Sequence, residues 1–179
     1  MAPTSAKTGP MRGQRYEPPT YSLRLPGARR LRTGGEDVTF YVFDLDGTLA
    51  DLTHRRHHAE TKDWRSFFAA CPDDEPIPHV IELLLRLWNL KTVRVEIWSG
   101  RSDEVRAETE AWLCAQGIPG NLLTRMRKAG DHKPDDVLKR EFLADSDARP
   151  DIIFDDRKRV VDMWRAEGIA CFQVAEGDF

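Results

Sequence analysis

Cysteine is scarce in this chain: Cys71, Cys114 and Cys171 are an odd set with no Cys-x-x-Cys pair among them. That excludes a disulfide framework and a structural zinc site, and points to reduced thiols in a cytoplasmic protein. No apolar run approaches the ~20 residues that cross a bilayer, so no membrane partner is expected. The N-terminus lacks the basic-then-apolar pattern of a secretory signal. No Gly-x-x-x-x-Gly-Lys-Ser/Thr occurs, which leaves no P-loop for nucleotide-dependent phosphorylation. Internal repeats are absent, and with them solenoid and propeller architectures.

What remains suits one soluble domain. The 179 residues are 40% apolar and 32% charged, enough for a sizeable core. Charge is unevenly spread. Residues 1–36 hold seven Lys or Arg against Glu17 and Glu36, a net of +5, whereas the whole chain is −3 and residues 37–179 therefore carry −8. Pro3, Pro10, Pro18, Pro19 and Pro26 punctuate this leader, so residues 1–36 read as a basic, flexible segment and 37–179 as the folded domain. Its arginines could attract a nucleic-acid backbone, and a solvated tail is the plainer reading.

Apolar and periodic segments alternate along the rest. Phe40–Phe43, Val93–Trp98, Leu122–Arg127, Asp151–Phe154 and Ala170–Val174 read as strands. Helices are expected over Trp64–Ala70, His79–Leu90, Asp103–Gln116, Asp135–Leu143 and Arg157–Glu167. The His79–Leu90 segment is apolar enough to be largely buried. Ser102 is a fitting N-cap, and Gly117 and Gly168 are fitting stops. Such alternation implies an α/β fold, a parallel sheet with helices on both faces.

The chemistry gathers where strands end. Tyr41-Val42-Phe43 runs into Asp44-Leu45-Asp46-Gly47-Thr48. Residues i and i+2 of an extended chain share a side, so both carboxylates can approach one small volume beyond the strand's carboxyl end, where open α/β sheets bind ligands. Two carboxylates 4 Å apart repel by roughly 4 kcal/mol at an effective dielectric of about 20. A cation such as Mg2+ or a shared proton relieves that. Gly47 permits the exit turn, and Thr48 offers a hydroxyl to a phosphate oxygen. Ser99-Gly100-Arg101 follows the second strand with a hydroxyl, backbone N–H groups and a guanidinium, a phosphate cradle or simply a helix cap. Asp155-Asp156 ends another strand and completes a set of oxygen donors suited to Mg2+, or caps the next helix. In His54-Arg55-Arg56-His57-His58, a flap contacting substrate through an arginine is favoured over a histidine metal site.

Asp44-x-Asp46-Gly47-Thr48-Leu49 resembles the first motif of the haloacid dehalogenase superfamily of phosphatases, and Ser99-Gly100-Arg101 its second. The stretch Asp155-Asp156-Arg157, Val160 to Arg165, Gly168-Ile169, Cys171, Gln173-Val174 and Gly177-Asp178-Phe179 is more specific. With Gly130-Asp131 and Asp135-Asp136-Val137-x-Lys139, it resembles the 3′-phosphatase domain of phage-type polynucleotide kinase/phosphatase, over Phe40 to the last residue. The resemblance implies a Rossmann-like fold with a small or absent cap. It makes Asp44 the nucleophile, Asp46 the acid and base, and Lys139, in preference to Lys133, the balancing cation. It assigns Arg55, Ser99, Gly100, Arg101 and Asp135, with Thr48, to the phosphate or substrate, and Asp44, Asp46, Asp155 and Asp156 to Mg2+. The expected substrate is a 3′-phosphate on DNA or RNA. Free mononucleotides or a small phosphorylated metabolite are the alternative, and a silent nucleic-acid-binding module is the competitor from another class. The partners to expect are nucleic-acid ends, a separate kinase or ligase chain, and a second copy of the chain in a homodimer.

Overall fold

The computed structural model describes residues 31–33 and 36–177. In chain order the strands are β1 (Leu31–Thr33), β2 (Glu36–Phe43), β3 (Ala50–Asp51), β4 (Glu75–Pro76), β5 (Val93–Ser102), β6 (Leu123–Arg127), β7 (Ile152–Arg157) and β8 (Ala170–Gly177). The helices are α1 (Arg56–Glu60), α2 (Trp64–Ala69), α3 (Pro78–Trp88), α4 (Arg106–Ala115), α5 (Asp135–Ala144) and α6 (Lys158–Ala166). Five strands pair in parallel in the order β6-β5-β2-β7-β8, and β1 adds antiparallel to β2.

Alternation along β2 builds two cores. Phe43 faces α3 and α4 and meets Leu84, Ile97, Trp112 and Leu113. Phe40 and Val42 face α5 and α6 and meet Trp98, Phe142, Val160 and Trp164. Side chains that alternate across a strand require cover on both faces, and helices supply it. The chain leaves β2 toward β5 and β6, then returns to β7 on the other side. β2 is thus the point where strand order reverses, and Asp44 stands at its carboxyl end.

Several expectations change in detail. β2 starts at Glu36 and pairs with Leu31–Thr33, so regular structure begins inside the segment read as a leader; residues 1–30 lie outside the described ones. α3 is buried along Val80, Ile81 and Leu84, but Leu83 and Trp88 are exposed. One stripe faces the sheet while the other faces water, so this helix is not wholly buried. β5 and β7 each run past their expected ends, through irregular pairing between Ser99 and Ser102 and between Asp155 and Arg157. Such bulges re-aim side chains at a sheet's rim.

Between β3 and β4, which pair antiparallel, residues 52–74 form a small helical insertion carrying α1 and α2. Among the described residues, no helix is long and apolar enough to cross a membrane, and all three cysteines are free.

Candidate active site

Asp44 follows β2, whose neighbours β5 and β7 align Phe43 with Ile97 and Phe154. Its backbone N–H donates to the Phe154 carbonyl at 2.9 Å, which sets Asp44 beside Asp155. Carboxylate oxygens of Asp44, Asp155 and Asp156 lie within 4.8 Å of one another, all buried. Consecutive side chains of a regular strand point to opposite faces; Asp155 and Asp156 join this cluster where the β7–β8 pairing is irregular, with the extra residues on β8 between Gln173 and Gly177. Two glycines make room for it. A Cβ on Gly47, whose φ is +81°, or on Gly177 would overlap Asp156 Oδ2.

Lys139 enters from α5 and is buried. Its Nζ donates to Asp44 Oδ1 at 2.8 Å and to Asp155 Oδ2 at 2.7 Å. Lys133 is exposed and pairs with Glu141 at 2.8 Å, so of the two lysines the structure brings Lys139 to the acidic cluster. One ammonium against three carboxylates leaves the cluster electronegative. Burial drives the Asp44 carboxyl well above its ordinary range; Lys139 lowers it, and Asp155 and Asp156 raise it again. Burial and the Asp155 charge push Asp156 up to about 6. Burial opposes charge on Lys139, but Asp155 and Asp44 outweigh it and keep the ammonium protonated. Buried, all-oxygen and short of positive charge, this donor set fits a hard divalent cation.

Asp46 has turned elsewhere. Arg101 Nε donates to its Oδ1 at 2.7 Å and Arg55 Nη2 to the same oxygen at 2.9 Å. Burial raises this carboxyl, but Arg101 and Arg55 prevail and the net shift is downward. The repulsion expected between Asp44 and Asp46 is therefore relieved by separate cations, not by one shared proton or ion. The Asp46 carboxylate is not part of the three-carboxylate cluster.

Arg55 and Arg101 are themselves fully buried. Both also donate to Asp74, Arg55 through Nε at 2.6 Å and Nη2 at 2.7 Å, Arg101 through Nη2. Arg55 stacks over the Phe67 ring at 4.2 Å and donates to the Phe67 carbonyl, which ties α2 to Asp46. The two arginines expected on the phosphate thus stand behind Asp46, engaged with carboxylates. Ser99 is likewise buried, its Oγ accepting from the Arg101 N–H at 3.1 Å. Thr48 is fully buried, and its Oγ1 has no hydrogen-bond partner among the described residues.

Above these groups opens a cavity of about 1100 Å3. Asp44, Asp46, Gly100, Asp135 and Lys139 line its floor. Arg127 and Arg157 hold opposite oxygens of Asp135, and a Cβ on Gly100 would press on that carboxylate at 3.2 Å.

Sequence reasoning missed Asp74, which sits in an acidic run between Pro72 and Pro76 that resembles a solvated turn. It also missed Arg127 and Arg157 as partners of Asp135; their position at the carboxyl ends of β6 and β7 was the available clue. Asp178 and Phe179 lie outside the described residues.

The sheet order, the switch-point aspartate and the small insertion define an α/β phosphatase of the haloacid dehalogenase type. The family "Polynucleotide kinase PNKP phosphatase domain" matches residues 38–179, and the chain belongs to it. A chain of the "Pnkp1/Rnl/Hen1 complex" is 27% identical with a TM-score of 0.68, over 89% of this chain and 52% of that one. This chain thus spans about half the length of that relative. The class C acid phosphatase from Bacillus anthracis with tungstate bound shares the fold at 17% identity and a TM-score of 0.55, over 81% of this chain and 70% of that one. So does the HAD-hydrolase YfnB from Bacillus subtilis bound to magnesium, at 9% identity and 0.54, over 77% and 93%.

Proposed function

We propose that the chain removes 3′-phosphates from DNA or RNA ends through an aspartyl-phosphate on Asp44. The observation that carries this is the division of the two motif aspartates. Asp44 and Lys139 lie on the floor of an open cavity with Asp155 and Asp156 buried beside them, while Asp46, on the same floor, is gripped by two arginines. Family membership supports the phosphatase chemistry. The likeness to a chain of the "Pnkp1/Rnl/Hen1 RNA repair complex" supports an end-healing substrate and a separate kinase or ligase chain as partner.

In the first step an Asp44 carboxylate oxygen attacks phosphorus in line, and the bond to the ribose 3′ oxygen breaks. Asp46 gives that oxygen a proton. In the second step Asp46 takes a proton from water, which attacks phosphorus and releases phosphate and the restored Asp44. Acid–base help of this kind is worth about 10²–10⁴-fold in rate. Arg55 and Arg101 aim Asp46, and Asp74 holds both arginines in place. Lys139 keeps a fixed positive charge beside the reacting oxygens, and Gly100, Ser99 and Thr48 shape the phosphate pocket. Asp44, Asp155 or Asp156, and the Asp46 backbone carbonyl would hold Mg2+, which when bound offsets charge on the phosphoryl oxygens.

The test is phosphate release from matched oligonucleotides bearing a 3′- or a 5′-phosphate, with free 3′- and 5′-mononucleotides alongside. Preference for the 3′ oligonucleotide supports the proposal. Preference for free mononucleotides moves the substrate to small phosphoesters.

A further inference from the structure

Facing the catalytic floor, one wall of the cavity is aromatic. Trp64, Phe67 and Phe68 of α2 line it. Phe67 is buried, and its ring meets Trp64 edge-on at 5.9 Å and Phe68 edge-on at 5.4 Å. Trp64 belongs to neither hydrophobic core, and 47% of its surface stays open to solvent. Core packing therefore gives no reason for an indole here. Arg127, Lys128 and Lys133, at the end of β6 and beyond it, and Arg157 and Arg159, at the junction of β7 and α6, line the same cavity; Arg127 and Arg157 pair with Asp135, Lys133 with Glu141 and Arg159 with Asp136. Lys128 is exposed and forms no salt bridge among the described residues. Arg65, beside Trp64, brings a further cation to the aromatic wall.

A small phosphoester needs only the floor. At about 1100 Å3, the cavity exceeds the roughly 300–1,000 Å3 typical of small-molecule sites. Flat aromatic surface beside cations such as Lys128 and Arg65 is a pairing that binds single-stranded nucleic acid: bases stack on the rings, and the backbone meets the charge.

We infer that Trp64, with Phe68 beside it, is the stacking platform for a nucleobase of the strand that carries the 3′-phosphate. It is a specificity-determining residue that separates polynucleotide ends from small phosphoesters. The inference rests on the end-healing reading above and adds the element that selects for it. Arg55 couples the platform to the chemistry, because it touches both Phe67 and Asp46.

The experiment measures KM and kcat of the full chain and its Trp64→Ala, Trp64→Phe and Phe68→Ala variants on three substrates. These are a short 3′-phosphorylated oligonucleotide, the same oligonucleotide with abasic sugars at its last two positions, and glycerol phosphate. Stacking is worth about 1–3 kcal/mol per base. Trp64→Ala should therefore raise KM for the base-bearing oligonucleotide about tenfold to a hundredfold more than for glycerol phosphate. Trp64→Phe should recover most of the loss. On the abasic substrate the wild type should already show the raised KM, and Trp64→Ala should add little. Equal rises on oligonucleotide and glycerol phosphate would assign Trp64 a merely structural role and overturn the inference, as would an unchanged KM on all three. If the wild type hydrolyses glycerol phosphate and ignores both oligonucleotides, the end-healing reading itself falls, and the platform with it.

Discussion

Arg101 and Asp74 face each other fully buried, and the same guanidinium reaches forward to Asp46. Arg55 repeats the arrangement from the insertion. Two guanidiniums and two carboxylates thus balance, and the geometry of Asp46 depends on a residue that never reaches the cavity. Asp74→Asn removes one charge and leaves two buried cations facing a single carboxylate. Breaking a buried pair in this way costs about 3–5 kcal/mol. Urea unfolding should register that loss, and turnover of a 3′-phosphate should fall by at least about tenfold. Unchanged stability and rate would deny Asp74 its positioning role.

The arginines also set a pH dependence. Burial raises the Asp46 carboxyl, yet Arg101 and Arg55 lower it further, so the net shift is downward. The protonated form needed by an alkyl leaving group therefore becomes scarcer as pH rises from the acid side. An aryl phosphate, whose leaving group needs little protonation, escapes this demand. The ratio of kcat/KM for oligonucleotide to that for aryl phosphate should fall as pH rises. A flat ratio would remove Asp46 from the acid role.

Asp156 gives the proposed cation site a signature independent of activity. Burial and the neighbouring Asp155 charge push this carboxyl up to about 6 from an ordinary 3.8. Between those values the folded state holds more protons than the unfolded one, so stability of the metal-free protein falls as pH rises through this window. A divalent cation supplies the missing positive charge and binds best once Asp156 is ionised. The rise in Tm on adding Mg2+ should be larger at about pH 7 than at about pH 5. Equal shifts would separate Asp156 from the cation.

Gly177→Ala tests the same site by shape. The added methyl overlaps Asp156 Oδ2, so the carboxylate must turn away. The Mg2+-induced rise in Tm should shrink or vanish.

Much of this was legible because β2 ends abruptly. Phe43-Asp44-x-Asp46-Gly47 announces a strand, two carboxylates and a turn, and later strand ends announce Ser99, Arg101, Asp155 and Asp156. Legibility fades where partners are distant in sequence. Arg55 and Arg101 read as phosphate ligands because an isolated guanidinium suggests an anion; that both meet Asp74 depends on how the insertion folds over β5. Asp74 is buried by those arginines and by α4, whose Trp112 Nε1 donates to the Asp74 carbonyl at 2.7 Å. No local pattern marks it. The irregular pairing of β7 with β8 was equally hidden, and it is there that adjacent Asp155 and Asp156 share one cluster.

The central claim is that Asp44 is the nucleophile, and Asp44→Asn tests it most directly. The substitution keeps the size of the side chain and removes one of three crowded negative charges, so the fold should hold. Phosphate release from a 3′-phosphorylated oligonucleotide with Mg2+ should be ready in the wild type and absent in the variant, with unfolding curves showing both proteins intact. Substantial release by the folded variant would contradict covalent catalysis at Asp44.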